Sequence, residues 1–302
     1  MSQRAVPVPH LLLAVAVVAV WGTNFVIIRV ALAELPPLLF AALRFTFCIV
    51  PAIFFLKRPE VPWRYLAAYG FLIGCGQFGL LFIAMDGRIT PGLASLVVQM
   101  QVFFTVGIFV WLAGERIHRH QWAALLLGLA GIGIIAANTD ATTTPLGLAL
   151  TLAAALSWSG GNYAARAAGR VDMLAFVVWS SLFSAPPLYL LSFLLEGGAA
   201  MADGVARASA ATWAAVAWQA AGNTMFGYVV WGWLLQRHSA AAIGPMALLV
   251  PVFGMGASVW WLGEPFPLWK FGAAALVMGG LTVSILWPRI NASRTARFAE
   301  PS

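Results

Sequence analysis

The chain has 302 residues, of which 62% are hydrophobic and 9% are charged, whereas soluble domains carry about 25% charged residues. This composition excludes a soluble globular protein and leaves no room for a sizeable soluble domain. The net charge of +7 does not indicate a nucleic-acid partner, because the basic residues are scattered between apolar runs and form no basic stripe.

Apolar runs long enough to cross a bilayer follow one another along nearly the whole chain. A hydrocarbon core about 30 Å thick needs about 20 apolar residues per helix. Ten spans are therefore predicted, over residues 9–32, 36–56, 63–85, 91–113, 119–137, 145–167, 172–195, 211–235, 239–262 and 267–287. The predicted fold class is all-α and integral to the membrane, with residues 291–302 as a polar tail.

Polar residues interrupt the middle of the first span and recur in the sixth. Trp21 and Asn24 stand within the sequence VWGTNF, and Trp158, Asn162 and Tyr163 repeat that order. Polar groups facing lipid tails cost several kcal/mol, so such residues face a cavity or another helix. Each asparagine could simply bond a neighbouring helix while each tryptophan fills the core. Repetition in both halves favours the cavity.

Arg44 lies about eight residues into the second span, with no carboxylate within one helical turn. An arginine at this depth is a functional candidate, because its guanidinium can hold a substrate carboxylate through two hydrogen bonds. Bonding to helix-end carbonyls is the structural alternative. Arg29, close to the end of the first span, is expected to extend towards the interface instead.

Amide side chains share helical stripes with small residues in the third and eighth spans. Gln77, beside Phe78, follows two glycines on one face of the third span, and Asn223 follows Gln219 in the eighth. A stripe of this kind either lines a cavity or allows close helix packing. Both interpretations remain open, and Gln77, Phe78 and Asn223 are included among the candidates.

The fourth span carries two glutamines of which only one is expected to face a cavity. Gln99 and Gln101 would lie about 200° apart on an α-helix. Ser95 and Gln99 share a face, so these two are the predicted cavity residues.

The two halves of the sequence repeat each other. Residues 90–115 align without a gap with residues 239–264, and Trp111 matches Trp260. Two five-span halves, each with an odd number of crossings, must have opposite orientations in the membrane. Such inverted repeats are typical of secondary transporters that bind their substrate near the midplane. The predicted halves cover residues 1–140 and 141–290.

The distribution of basic residues predicts the orientation of the chain. Twelve of the 17 lysines and arginines fall on the side of the termini, and three fall on the opposite side. By the positive-inside rule, both termini are expected in the cytoplasm.

Catalytic and metal-binding patterns are missing from the sequence. We find no Gly-x-Ser-x-Gly, no His-Glu-x-x-His and no paired carboxylates in mid-membrane, so we expect neither an enzyme nor a cofactor. The segment from Glu115 to His120 has metal-ligand residue types, but two arginines within it argue against a cation site. A receptor or scaffold is compatible with the composition but disfavoured by the inverted duplication.

Several of these motifs together resemble the EamA-type branch of the drug/metabolite transporter superfamily. The resemblance covers residues 9–287 and is carried by Trp21 to Phe25, Leu43 to Phe45, Gly114 to Arg116 and Gly263-Glu264. The pattern is most similar to exporters of aromatic and other amino acids in the bacterial inner membrane. The second half departs from the family pattern, with Trp179 at the position that matches Arg44.

The resemblance implies a central cavity formed by spans 1–4 and 6–9, with the fifth and tenth spans peripheral. It implies a small-molecule substrate and a multi-pass protein of the inner membrane. The oligomeric state stays open, with a monomer as one candidate. Alternating access driven by the substrate gradient is the expected mechanism, and the alternative is a broader drug/metabolite or phosphorylated-metabolite carrier. The predicted substrate-binding residues are Trp21, Asn24, Arg44, Gln77, Phe78, Ser95, Gln99, Trp158, Asn162, Tyr163 and Asn223.

Overall fold

A computed structural model describes residues 6–113, 118–238 and 240–298, and every regular element within these ranges is a helix. The segment 114–117 lies outside the described residues, and with it the Gly114 to Arg116 motif and the first half of the excluded metal segment. We number the long helices α1 to α10. They cover Val8–Ala31, Pro37–Phe54, Trp63–Met85, Pro91–Trp111, Arg119–Ala137, Pro145–Ala167, Met173–Leu195, residues 210–237, Gly244–Leu262 and Leu268–Phe298.

Eight of these ten helices are long and apolar enough to cross a membrane, and the exceptions are α6 and α8. Helix α6 has 23 residues, which is long enough, but it carries the polar stretch around Asn162. Helix α8 likewise carries Gln219 and Asn223. The predicted spans and the helices agree closely elsewhere, except that α10 continues past residue 287 to Phe298.

The helices are irregular at corresponding places in the two halves. A π-helical stretch occupies Leu72–Gly79 in α3 and another occupies Gln219–Phe226 in α8. Tighter 3₁₀ turns cover Val98–Met100 in α4 and Gly244–Leu249 in α9. Both departures change the rotation of the residues that follow, so they alter which side chains face the centre of the molecule.

Glycines bring α5 and α10 into direct contact. A Cβ atom built on Gly131 would lie 2.6 Å from Cγ2 of Val277, and one built on Gly280 would lie 2.5 Å from the carbonyl oxygen of Ala124. Backbones can approach this closely only where no side chain intervenes. Gly131 and Gly280 therefore allow the fifth helix to pack directly against the tenth.

The glycine stripe of α3 also serves helix packing. A Cβ atom on Gly74 would lie 2.4 Å from Cβ of Ser184 in α7, and the Ser184 hydroxyl donates to the carbonyl oxygen of Gly70 at 2.7 Å. Close packing therefore accounts for the glycines, while Gln77 on the same helix has a different environment.

Two ends of the molecule can be defined from contacts between helix termini. At one end, Glu34 after α1, Glu196 after α7 and Glu264 after α9 bind the first residues of other helices; we call this the carboxylate end. At the other end, Nδ1 of His10 in α1 lies 2.7 Å from Nε2 of His238 after α8. We call this second end the His10 end.

Candidate functional site

A cavity of about 320 Å³ lies between the helices of the two halves. This volume falls within the range of about 300–1,000 Å³ that is usual for small-molecule sites. Among the described residues, each of α1–α4 and α6–α9 contributes to its wall, and α5 and α10 do not. The eight-helix cavity that the sequence resemblance implied is therefore present.

Nine of the eleven predicted site residues line this cavity. Both aromatic and amide side chains are among them, together with one cation. They are Trp21, Asn24, Arg44, Gln77, Phe78, Gln99, Trp158, Asn162 and Asn223.

The prediction that Ser95 lines the cavity is wrong. Its side chain is fully buried, its hydroxyl donates to the carbonyl oxygen of Gly92 at 2.7 Å, and it packs against Gly254 of α9. On a regular α-helix, Ser95 and Gln99 would share one face. The 3₁₀ turn at Val98–Met100 adds rotation between them, so Gln99 faces the cavity and Ser95 does not.

Tyr163 also lies outside the cavity wall, contrary to prediction. Its ring centre lies 5.7 Å from that of Phe109 in α4. Consecutive residues on an α-helix point about 100° apart, so Tyr163 faces a neighbouring helix while Asn162 faces the cavity.

Gln101 lines the cavity together with Gln99, although an ideal α-helix would place the two on nearly opposite sides. Each residue of a 3₁₀ turn advances by about 120° in place of about 100°. Measured the shorter way round the helix, the separation of about 200° on an α-helix is about 160°, and the 3₁₀ turn reduces it to about 120°. One broad cavity can therefore reach both side chains. The sequence signal that could have identified Gln101 is that two amides stand close together in a helix with few other polar residues.

Two of the predicted amides are held by partners in the opposite half of the chain. Asn24 Nδ2 donates to Gln219 Oε1 at 3.3 Å, and Gln219 Nε2 donates to Asn24 Oδ1 at 2.8 Å. Asn162 Nδ2 donates to Gln101 Oε1 at 3.2 Å. These pairs tie the walls of the cavity together.

Three other amides have side-chain donors and acceptors that no described residue occupies. Gln77, Gln99 and Asn223 make no side-chain hydrogen bond to another described residue, and all three line the cavity. The backbone carbonyl of Asn223 accepts a 3.0 Å hydrogen bond from Nε1 of Trp21, which fixes that indole in the wall. Tyr69 and Tyr228 add phenol groups that the sequence did not single out.

Arg44 is 2% exposed, and its Cζ lies 3.6 Å from the centre of the Phe78 ring. One nitrogen, Nη2, donates to Oγ1 of Thr224 at 3.1 Å. No described carboxylate forms an ion pair with it. The corresponding Trp179 donates to the carbonyl of Leu56 outside the cavity, so the second half adds no equivalent cation.

At the carboxylate end, glutamates from one half of the sequence bind helix starts from the other half. Glu34 accepts hydrogen bonds of 2.6 Å from both the backbone N–H of Ser209 and the hydroxyl of Thr212, at the start of α8. Glu196 accepts from the backbone N–H groups of Leu38 and Leu39 at 2.7 and 3.2 Å. Negative charge is stabilised at a helix N-terminus by the free N–H groups there.

Glu264 makes the third contact of this type. It accepts hydrogen bonds from the Thr90 hydroxyl at 2.5 Å and the Gly92 backbone N–H at 3.0 Å, at the start of α4. Lys270 Nζ donates to it at 2.8 Å, and Ser258 donates to it as well. Burial raises its pKa, but the hydrogen bonds from Lys270, Ser258 and Thr90 outweigh this effect and leave the pKa lowered. We call Glu34, Glu196 and Glu264 with their partners the carboxylate clamps.

The cavity wall is tightly buried below the carboxylate clamps and more open at the His10 end. Ile28 and Leu81, which border it near the clamps, are 1% and 2% exposed. Ala165 and Met173, which border it near the end of α6 and the start of α7, are partly exposed. The cavity therefore approaches the His10 end.

Comparison with known proteins finds similarity to transporters. A sequence model of the EamA-like transporter family matches residues 9–137 and again residues 145–286. A Salmonella typhimurium protein described as a probable amino-acid metabolite efflux pump is 39% identical over 94% of this chain and 97% of its own length. An Escherichia coli protein with the same description is 38% identical over 90% of this chain and 93% of its own length.

A solved crystal structure has the same fold. It superposes with a TM-score of 0.63 at 22% sequence identity, covering 93% of this chain and 98% of the solved one.

Proposed function

The chain belongs to the EamA-like transporter family, and we propose that it exports amino acids, aromatic and other neutral ones, across the bacterial inner membrane. The observation that carries this proposal is the cavity, in which aromatic rings, three unpartnered amides and one arginine surround a volume suited to a small molecule. The relatives described as amino-acid metabolite efflux pumps support the same substrate class.

The chemistry of the wall suits a zwitterion. An amide can donate to a carboxylate through its N–H groups and accept from an ammonium through its oxygen. Aromatic faces such as that of Trp158 attract an ammonium group and also accommodate an apolar side chain. Gln77, Gln99 and Asn223 are therefore the proposed contacts for the polar part of the substrate, and Trp21 and Trp158 for the remainder.

The proposed architecture is ten spanning helices in two inverted halves, residues 1–140 and 141–290. Two successive matches to one family model support the duplication. The paired π-helical stretches in α3 and α8 support it independently. With both termini in the cytoplasm, as the positive-inside rule predicts, the His10 end faces the cytoplasm and the carboxylate end faces outwards.

Alternating access then assigns opposite roles to the two ends. The carboxylate clamps join the two halves at the outer end, while the cavity approaches the cytoplasmic end. This arrangement suits a state that receives substrate from the cytoplasm. Release to the outside requires the clamps to separate, because each of them ties a helix start of one half to a carboxylate of the other.

The proposed driving force is the substrate's own concentration gradient. No acidic residue lines the cavity in the part of the chain that the structure describes, so a carboxylate proton carrier has no candidate there. Arg44 is the sole cation among the described lining residues, which disfavours a phosphorylated metabolite, since a dianionic phosphate calls for several cations.

Counterflow in proteoliposomes tests the proposal. Purified protein is reconstituted with unlabelled phenylalanine, leucine or serine inside, and uptake of the labelled amino acid is followed with and without a pH gradient. We expect exchange of at least one of them without a pH gradient. Liposomes with no exchange of any amino acid would contradict the proposed substrate class, and a strict requirement for the gradient would contradict the proposed driving force.

A further inference from the structure

Arg44 has unused hydrogen-bonding capacity. Two of its three guanidinium nitrogens, Nε and Nη1, are buried and have no hydrogen-bond partner. Buried polar groups in proteins are nearly always paired, so an exception calls for a physical reason. Arg44 forms part of the cavity wall, so a ligand in the cavity becomes their partner once the guanidinium turns towards it.

The contacts that Arg44 does make hold it in place without neutralising it. The Phe78 ring covers its guanidinium at 3.6 Å. The hydroxyl of Thr224 accepts from Nη2 and itself donates to the carbonyl oxygen of Gln219 at 2.9 Å, which orients the hydroxyl as an acceptor. Both partners are uncharged.

The charge of Arg44 therefore remains uncompensated among the described residues. Arginine stays protonated in proteins, and an isolated buried charge is strongly unfavourable. A bound carboxylate would supply the missing negative charge and would accept hydrogen bonds from the free guanidinium nitrogens. Arginine and carboxylate are geometrically matched for this interaction.

We propose that Arg44 is the carboxylate-binding residue of the cavity and that it restricts transport to amino acids, or their derivatives, with a free α-carboxylate. This inference rests on the proposed function and specifies which group of the substrate the cavity recognises. The α-amino group is then free to be modified, because its contacts are with neutral amides and aromatic rings.

The first test uses the unaltered protein in proteoliposomes. Counterflow of labelled phenylalanine, leucine and serine is measured with three competitors for each: the unlabelled amino acid, its N-acetyl derivative and its carboxamide. The carboxamide lacks the negative charge but keeps the size and shape of the free acid. Loss of a charge-assisted hydrogen bond predicts that it competes at least about tenfold more weakly, whereas the N-acetyl derivative still competes.

The second test assigns this preference to Arg44. In Arg44→Gln, the half-saturation concentration for the free acid should rise at least about tenfold, and the preference over the carboxamide should fall to within about twofold. Arg44→Lys keeps the charge and should keep part of the preference. The matched control is Arg29→Gln, which removes an arginine of α1 that does not line the cavity and should leave the preference unchanged.

The outcomes separate this inference from the proposed function. Failure of all three amino acids to exchange would contradict the proposed function itself. Exchange with equal competition by acid and carboxamide in the unaltered protein would overturn the role of Arg44, and this result needs no variant to fold. Persistence of the tenfold preference in Arg44→Gln would overturn it as well.

Discussion

Asn24 of α1 and Gln219 of α8 bond each other through both groups of their side-chain amides, with donor–acceptor distances of 3.3 and 2.8 Å. Both side chains are buried, and the two residues come from opposite halves of the sequence. The pair therefore connects the two halves at the cavity wall, and it also gives that wall a polar surface.

Substitution of Asn24 by Ala should reduce stability more than an equivalent change elsewhere in the cavity. It leaves the buried Gln219 amide without its partner, at a cost of about 1–3 kcal/mol. Thermal unfolding of the purified protein measures the loss. Asn223→Ala is the matched control, because that side chain has no partner among the described residues. Equal thermal stability of Asn24→Ala and the unaltered protein would contradict the structural role of the pair.

Both Gln99 and Gln101 should contribute to substrate affinity, although an α-helix would have separated them. Each lines the cavity. Gln99→Ala removes an unpartnered amide, and Gln101→Ala removes the partner that holds Asn162 in the wall, so each should raise the half-saturation concentration about five- to tenfold in counterflow. Ser95→Ala, on the same helix but outside the cavity, should leave it unchanged. An unchanged half-saturation concentration in Gln101→Ala together with a raised one in Ser95→Ala would show that the 3₁₀ turn does not determine which residues reach the substrate.

Weakening a carboxylate clamp should expose the cavity from the carboxylate end. Ile28, which borders the cavity below the clamps, can be replaced by Cys in a variant without Cys48 and Cys75, and labelled with a membrane-impermeant maleimide. Glu34→Gln, Glu196→Gln and Glu264→Gln should each increase labelling at least about fivefold, because a charge-assisted hydrogen bond across the halves is lost.

Glu60→Gln is the control for the clamp variants, because Glu60 is exposed and lies between α2 and α3 at the His10 end. Its labelling should equal that of the parent protein. Unchanged labelling in all three clamp variants would show that the clamps do not close this end.

The accessibility of Ile28→Cys, measured as labelling of the folded protein relative to the unfolded protein at the same pH, should depend on pH only in the acid range. Hydrogen bonds from Thr212 and Ser209 lower the pKa of Glu34 below its ordinary value of 4.5, and the pKa of Glu264 is lowered as well. A lowered pKa means that the charged form is favoured in the clamp, so the contact holds at neutral pH and is lost as the pH falls through the lowered value. Because only the thiolate reacts with a maleimide, labelling at Ile28→Cys is expressed relative to that of the same variant, unfolded, at the same pH. This ratio should stay constant between about pH 8 and about pH 5 and rise below about pH 4. A rise centred near neutral pH would contradict this assignment.

Adjacent glycines in α10 should respond differently to the same substitution. A Cβ atom on Gly280 would meet the Ala124 carbonyl oxygen of α5 at 2.5 Å, whereas one on Gly279 would meet nothing within 4 Å. Gly280→Ala should therefore destabilise the protein by about 1–3 kcal/mol through overpacking, and Gly279→Ala should not. Thermal unfolding compares the two variants, and equal melting temperatures would exclude tight packing of α5 on α10.

The sequence by itself determined the class of the protein, the approximate spans and most of the cavity residues. Apolar runs of bilayer length are a local property, and a polar side chain such as Asn162 within one of them must find a cavity or a partner.

Only the tertiary structure decided which polar residues are available to a ligand. Asn24 is paired with Gln219, and Asn162 with Gln101, across 195 and 61 residues of sequence, and no local pattern encodes a pairing over such separations. The placement of Ser95 and Gln101 depended on a 3₁₀ turn whose extra rotation a regular helical projection does not contain. Glu196 reaches the start of α2 across 158 residues, because a helix N-terminus binds whichever carboxylate the folded chain brings to it.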